Sequence, residues 1–211
     1  MSNFRKGLLI VISGPAGVGK GTICKAYLKK YPDTLFSVST TTRKPREGET
    51  DGVEYNFTTK KHFKQMIENG ELLEYVEVFG NYYGTSKKWV EDTLNSGEDV
   101  ILEIEICGAD NVKKLYNDAL LLFVMPPSPK ELEDRIRNRN SEGESEIEQR
   151  LSRSKEEINT MFKYDYFIVN EKVEDAVKQI RTIIVAEKNS VKRYGKNQVN
   201  EYFDLKADKD V

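Results

Sequence analysis

A chain of 211 residues, 38% hydrophobic and 32% charged, suits one folded domain, or one core carrying inserted lobes, with a large polar surface. Its net charge of −2 supplies no field that would draw it to nucleic acid or to an acidic membrane, so neither is an expected partner. The apolar run near the start, Leu8 to Ile12, is too short for a signal peptide or a membrane span, which makes the cytoplasm the expected compartment. Cys24 and Cys107 are expected as small buried thiols of a helix and a strand, not as a disulfide. His62 stands in a Lys-Lys-His stretch and is expected to be exposed, so metal ligation by cysteine and histidine is not expected.

Leu8-Leu9-Ile10-Val11-Ile12-Ser13 is short, apolar and rich in β-branched residues, which predicts a strand. Gly14-Pro15-Ala16-Gly17-Val18-Gly19-Lys20-Gly21-Thr22 follows, and Thr22 to Lys30 reads as a helix. Strand, glycine loop and helix together are the setting of a phosphate-binding loop. Glycine lacks a Cβ, so the backbone can wrap an anion with its N–H groups inward, and the helix adds its positive end. Lys20 would reach the β- and γ-phosphates of a nucleotide as a point charge. Such loops usually carry Ser or Thr directly after the lysine, facing the metal ion. Here Gly21 holds that place and Thr22 follows, so a direct hydroxyl–metal bond is not established by the motif.

The first helix should end before Tyr31-Pro32. Leu35 to Ser39 reads as a strand, and Thr40 to Glu49, rich in Thr, Arg, Pro and Gly, as a loop. Asp51-Gly52 signals a turn before a short strand at Glu54 to Phe57. Phe63, Met66 and Ile67 mark one face of a helix that Gly70 should stop. Leu72 to Phe79 is strand-like, Gly80-Asn81 turns the chain, and a helix over Lys87 to Asn95 ends by Gly97. Val100 to Ile106 predicts a strand that is apolar on both faces until Glu103 and Glu105, which at i and i+2 would share a face at its functional end. Leu120 to Met125 is another buried strand, stopped by Pro126-Pro127. Ser128-Pro129-Lys130-Glu131 is a capping box with proline at the first helical position, and the helix it opens carries Arg135, Arg137 and Arg139. After a polar loop, Asn140 to Glu144, a second capping box at Ser145 to Glu148 opens a helix to about Phe162. Tyr166 to Val169 is the last strand, a helix starts at Val173, and the tail beyond Lys192 is polar.

Strands alternating with helices imply a right-handed, mainly parallel α/β core. The expected partition is a core over 1–38, 98–137 and 151–211, an inserted lobe over 39–97 and a lid over 138–150. The glycine loop, Ser39-Thr40-Thr41-Thr42-Arg43-Lys44-Pro45-Arg46-Glu47-Gly48-Glu49, Gly80-Asn81-Tyr82-Tyr83-Gly84-Thr85, Leu102-Glu103-Ile104-Glu105, Pro126-Pro127-Ser128 and Ile168-Val169-Asn170 follow one another in a set order. From Leu8 to about Glu187 the chain resembles the guanylate kinase family on these segments. The glycine loop is shared by many ATP and GTP users; the second and third segments together are far more specific.

The resemblance implies a P-loop NTPase-type core with a parallel five-stranded sheet flanked by helices, an inserted GMP-binding lobe and a small lid. It implies Mg²⁺-dependent transfer of the γ-phosphoryl group of ATP to GMP, and to dGMP, giving ADP and GDP in purine nucleotide metabolism. ATP would lie on Gly14, Pro15, Ala16, Gly17, Val18, Gly19, Lys20, Gly21 and Thr22, with Asn170 near the adenine. Arg43 and Arg46, fixed cations with fork geometry, suit the acceptor phosphate. The resemblance adds the hydroxyls of Tyr55 and Tyr83 to that phosphate, and Tyr82 is expected to pack. Glu74 would accept the N1 and N2 protons of guanine, while Ser39 and Thr85 would bond the base edge. Glu105 would lie near the GMP base or ribose, and Glu103 near the phosphates or the metal's water shell; Thr22 and Glu103 are the candidate metal contacts. Arg135, Arg139 and Arg150 would close over the transferred group beside Lys20 and Arg43, neutralising charge in a loose transition state. Arg137 should face another way on its helix, and Arg153 has no assigned role. Two further readings are a scaffold-type interaction module that binds phosphopeptides through the GMP lobe, and a kinase of another small phosphate such as AMP. The retained Lys20 and flap arginines argue against the first, and Ser39, Glu74 and Thr85 against the second.

Overall fold

The computed structural model describes residues 6–78, 80–137, 144–194 and 199–200. Arg139, Asn140 and most of the expected lid lie outside the described residues, as does Phe79. The described chain runs β1 (Leu9–Ser13), α1 (Lys20–Lys30), β2 (Thr34–Phe36), β3 (Thr40–Thr41), β4 (Asn56–Phe57), α2 (Lys60–Glu68), β5 (Leu72–Val78), β6 (Asn81–Ser86), α3 (Lys87–Asn95), β7 (Asp99–Glu103), α4 (Ile106–Leu115), β8 (Leu120–Met125), α5 (Pro129–Arg137), α6 (Glu144–Ile158), β9 (Tyr166–Val169) and α7 (Val173–Lys188). Among these residues, no helix is long and apolar enough to cross a membrane.

The core sheet has five parallel strands in the order β2-β7-β1-β8-β9. All five residues of β1 are buried because helices cover both faces of the sheet. Successive side chains alternate between the faces. Ile10 and Ile12 join a cluster with Ile23, Tyr27, Leu132, Ile136 and Ile180 from α1, α5 and α7. Leu9 and Val11 join the opposite cluster with Leu73, Val90, Leu94, Ala109 and Val112, the last four from α3 and α4. This is the doubly covered P-loop NTPase-type core, and the C-terminal ends of its strands open on the crevice where open α/β sheets take ligands.

A second sheet, in the order β4-β3-β6-β5, is built from the segment between β2 and β7. β3 and β4 are two residues each and pair in parallel, while the longer β6 pairs antiparallel with both β3 and β5. At Leu72 and Glu74 the β5–β6 register shifts, so two consecutive residues of β5 are buried. Leu73 goes to the apolar cluster beneath α3, and Glu74 stands opposite Thr85.

Several expectations change. β6 forms where only a turn was expected. β7 ends at Glu103, not Ile106, because its ladder with β1 stops at the Ile12–Glu103 pair; after the Ile104 N–H reaches the Ile12 carbonyl at 3.3 Å, the backbone turns into α4. Cys107 therefore lies on a helix and is exposed, while Cys24 is buried as expected. Glu103 and Glu105 do not share a strand: Glu103 closes β7 and Glu105 is the N-cap of α4. α6 starts at Glu144, which places Ser145 inside the helix and not at its cap. The Ser128 capping contact does form, with the Glu131 N–H donating to Oγ at 3.1 Å, and His62 is exposed on α2.

Candidate active site

The glycine loop joins β1 to α1, which begins at Lys20, two residues before the expected start. Two glycines are dictated by close approach. A Cβ on Gly14, at φ +144°, would meet the Val124 carbonyl at 2.3 Å, and one on Gly19, at φ +91°, would meet Asn170 Nδ2 at 2.6 Å. Gly19 is the N-cap of α1 and offers no side-chain cap, so the first N–H groups of the helix are left for an anion. Lys20 Nζ donates to the carbonyls of Gly14 at 2.6 Å and Pro15 at 3.1 Å, folded onto the loop it serves.

The back of the loop is held from α5 and the end of β9. Asn170 Nδ2 donates to the Val18 carbonyl at 2.7 Å; Arg135 approaches the same carbonyl at 3.5 Å and donates to the Asn170 carbonyl at 3.1 Å. Asn170 is buried, and neither it nor Arg135 lines the cleft in front of the loop. Arg135 thus stands behind the loop in this structure, away from the other expected transfer residues.

That cleft, of about 430 Å³, brings Gly17, Gly19, Lys20, Gly21 and Thr22 opposite Ser39, Arg43, Arg46, Tyr55, Glu74 and Tyr83 of the second sheet and its loops. Glu103, Glu105 and Arg150 complete the set of expected residues around it. Ala16 lines it as well, whereas Gly14, Pro15 and Val18 are buried. Thr85 is fully buried and acts behind Glu74, its hydroxyl donating to Glu74 Oε1 at 2.7 Å. Glu74 itself is 5% exposed, and its Oε2 would lie 2.6 Å from a Cβ on Gly108, so the bare helix backbone of α4 makes room for the carboxylate. Burial pushes the Glu74 carboxyl up to about 7 against the weaker opposing effect of the Thr85 hydrogen bond.

On the other side Arg43 is gripped bidentately by Glu49, with N–O distances of 2.8 and 2.9 Å, and its guanidinium lies 5.2 Å from the Tyr55 ring centroid. Tyr55 and Tyr83 meet edge to face at 5.9 Å, and burial, followed by the charge of Glu103, raises the Tyr55 hydroxyl pKa. Tyr82 packs away from the cleft, stacked on Phe63 at 5.4 Å. Glu103 reaches over the loop, its Oε2 3.4 Å from where a Cβ on Gly21 would be.

Arg153, Ser154 and Glu157 of α6 also line the cleft and were given no role from sequence. With Arg150 they fall at i, i+3, i+4 and i+7, one helix face, and that spacing was the available signal. Arg153 donates to Glu157 at 2.7 Å and stands 3.7 Å from Glu105, tying α6 to the start of α4. Val76 and Val78 line the cleft on the same face of β5 as Glu74, two residues apart each time.

A glycine loop at the C-terminal edge of a parallel sheet, facing a wall of arginines, tyrosines and one buried carboxylate, defines the class as a P-loop NTPase-fold protein with a second polar subsite. A family profile described as guanylate kinase matches residues 6–187. A guanylate kinase of Clostridioides difficile is 51% identical over 94% of this chain and 97% of its own length, and one of Clostridium perfringens is 53% identical over 91% and 89%. The crystal structure of guanylate kinase from Anaplasma phagocytophilum superposes with a TM-score of 0.78 at 32% identity, covering 96% of this chain and 98% of that one. The chain belongs to the guanylate kinase family.

Proposed function

We propose that this protein is an ATP:GMP phosphotransferase in which the Lys20 loop holds the triphosphate of ATP and the facing wall holds GMP. The carrying observation is Glu74, a buried carboxylate aimed into the cleft across from the loop. Guanine presents N1–H and N2–H₂ to it as adjacent donors; adenine has no such pair. A site built around a buried acceptor rejects a ligand that leaves it unpaired by roughly 10⁴–10⁵. Ser39 stands on the same side for the base edge, while Arg43, Arg46, Tyr55 and Tyr83 receive the phosphate. dGMP is taken as a second acceptor on the family resemblance.

The acceptor phosphate is largely dianionic at neutral pH, its second pKa being about 6. It needs no strong general base, so the work is alignment and charge neutralisation. Lys20 leaves the Gly14 and Pro15 carbonyls to meet the phosphates, and Arg150 approaches from α6. Arg139 is assigned to the same task by resemblance. Arg135 supports the loop through Val18 and Asn170, which is its supported role alongside the expected one at the transferred group.

Mg²⁺ is proposed to accompany ATP. Glu103 over Gly21 and the exposed Thr22 hydroxyl supply oxygen donors beside the loop, the chemistry a hard cation takes. Such an ion is held mostly by phosphates and water. When bound, Mg²⁺ offsets phosphate charge. The core, the inserted lobe over 39–97 and the lid over 138–150 remain the proposed partition, with the lobe corresponding to the second sheet.

The test is a coupled assay for ADP with GMP, dGMP, AMP, CMP and UMP as acceptors. The expected result is turnover with GMP and dGMP, AMP slower by several orders of magnitude, and loss of GMP turnover in Lys20→Met. Equal use of AMP, or an unaffected Lys20→Met enzyme, would remove the proposal.

A further inference from the structure

The loop that carries Arg43 and Arg46 has no regular secondary structure between Thr41 and Asn56. An arginine on such a loop loses much side-chain freedom when it binds an anion, unless something else already holds it. Here Glu49 does. Its Oε1 accepts from Arg43 Nη2 at 2.8 Å, and its Oε2 accepts from Arg43 Nη1 at 2.9 Å and from the Arg46 backbone N–H at 2.7 Å. The Glu49 N–H returns to the Arg46 carbonyl at 3.1 Å. Both partners of the ion pair are largely out of solvent, with side chains 15% and 16% exposed. The Tyr55 and Phe57 rings lie 5.2 and 5.8 Å from the guanidinium carbon, fixing its plane as the carboxylate fixes one edge.

We propose that Glu49 is a positioning residue for the acceptor phosphate, pre-setting Arg43 in its binding orientation and shaping the turn that presents Arg46. The inference rests on the reading that Arg43 meets the GMP phosphate. Arginine has five N–H donors. The two bonds to Glu49 and the one to the Lys44 carbonyl at 2.8 Å use three, leaving about two for an anion in the cleft. The alternative is that Glu49 merely occupies the phosphate's place until GMP displaces it. Two facts oppose that. Glu49 is anchored to the backbone of its own loop through Arg46, and displacement would break its bidentate pair with Arg43. The two roles have opposite signs. Removing a clamp weakens GMP binding, and removing a competitor tightens it. The Arg43 bond also holds the Glu49 carboxyl below its ordinary pKa, so it is ionised across the neutral range.

The experiment is calorimetric titration of the whole protein, as wild type, Glu49→Gln and Arg43→Gln, with GMP and with guanosine, which lacks the phosphate. Glu49→Gln keeps size and one acceptor while removing the charge. The expected result is GMP binding weakened about tenfold in Glu49→Gln and at least as much in Arg43→Gln, with guanosine binding unchanged in both. GMP bound as tightly as by wild type, or more tightly, in Glu49→Gln while Arg43→Gln is impaired would overturn the Glu49 proposal and leave the Arg43 reading standing. Unchanged GMP binding in Arg43→Gln would remove the reading beneath it. Parallel loss of guanosine and GMP in Glu49→Gln would reveal a disturbed lobe and overturn the positioning role.

Discussion

Packed against Gly108 and bonded by the Thr85 hydroxyl, the Glu74 carboxyl titrates at about 7 because burial opposes its ionisation. Under the proposed assignment guanine would bind the ionised form, since a carboxylic acid would set its own proton against the N1 and N2 donors. Binding therefore lowers the carboxyl pKa, and the sign follows. GMP should expel a proton from Glu74, and its affinity should fall as pH drops below about 7, by roughly tenfold per unit. At pH 7, titrations in buffers of different ionisation enthalpy should detect roughly half a proton released per GMP. Glu74→Gln should lose that release. No proton release by the wild-type protein would mean that Glu74 does not meet the guanine edge. The proposal that Glu74 reads the base came only through the family resemblance. Its burial was not, because the shifted β5–β6 register that buries Leu73 and Glu74 together depends on a partner strand whose own sequence, Asn81 to Ser86, is polar and glycine-containing.

At the scale of elements, the loop after β1 is held by a strap from α5 and the end of β9. Asn170→Ala would strip the Val18 carbonyl of its 2.7 Å donor and cost about 1–3 kcal/mol of stability if no water replaces the amide. Because the strap touches the back of the loop proposed to hold the triphosphate, KM for ATP should rise severalfold while KM for GMP stays as in wild type. Steady-state kinetics and a melting curve measure the two effects. An equal rise in both KM values would contradict a role confined to the loop. The elements that sequence revealed best are those whose residues decide locally. The apolar runs of β1 and β8, the Ser128 capping box and the helix that starts at Val173 are examples. α4 was missed for a local reason too. It starts directly after a strand, its N-cap Glu105 makes no capping bond, and Gly108 lies in its first turn, so no start signal separates it from β7. Cys107 was misjudged with it.

Across the whole molecule, the parallel sheet presents the Lys20 loop, the second sheet presents Ser39, Arg43, Tyr55, Glu74 and Tyr83, and α6 lines a third side with Arg150 and Arg153. The two subsites were visible in sequence as motifs, but their opposition across one cleft is a property of topology: the second sheet lies in chain order between β2 and β7, neighbours in the core sheet. Arg153 and Glu157 could not be assigned from their own segment, because their importance comes from facing Glu105, which lies about fifty residues earlier in the chain. The crystal structure of the GMP complex tests the account most directly. It should place the Glu74 carboxylate within hydrogen-bond distance of guanine N1 and N2, with the phosphate on Arg43 and Arg46. A complex with the base away from Glu74, or with the GMP phosphate seated in the Lys20 loop, would contradict it.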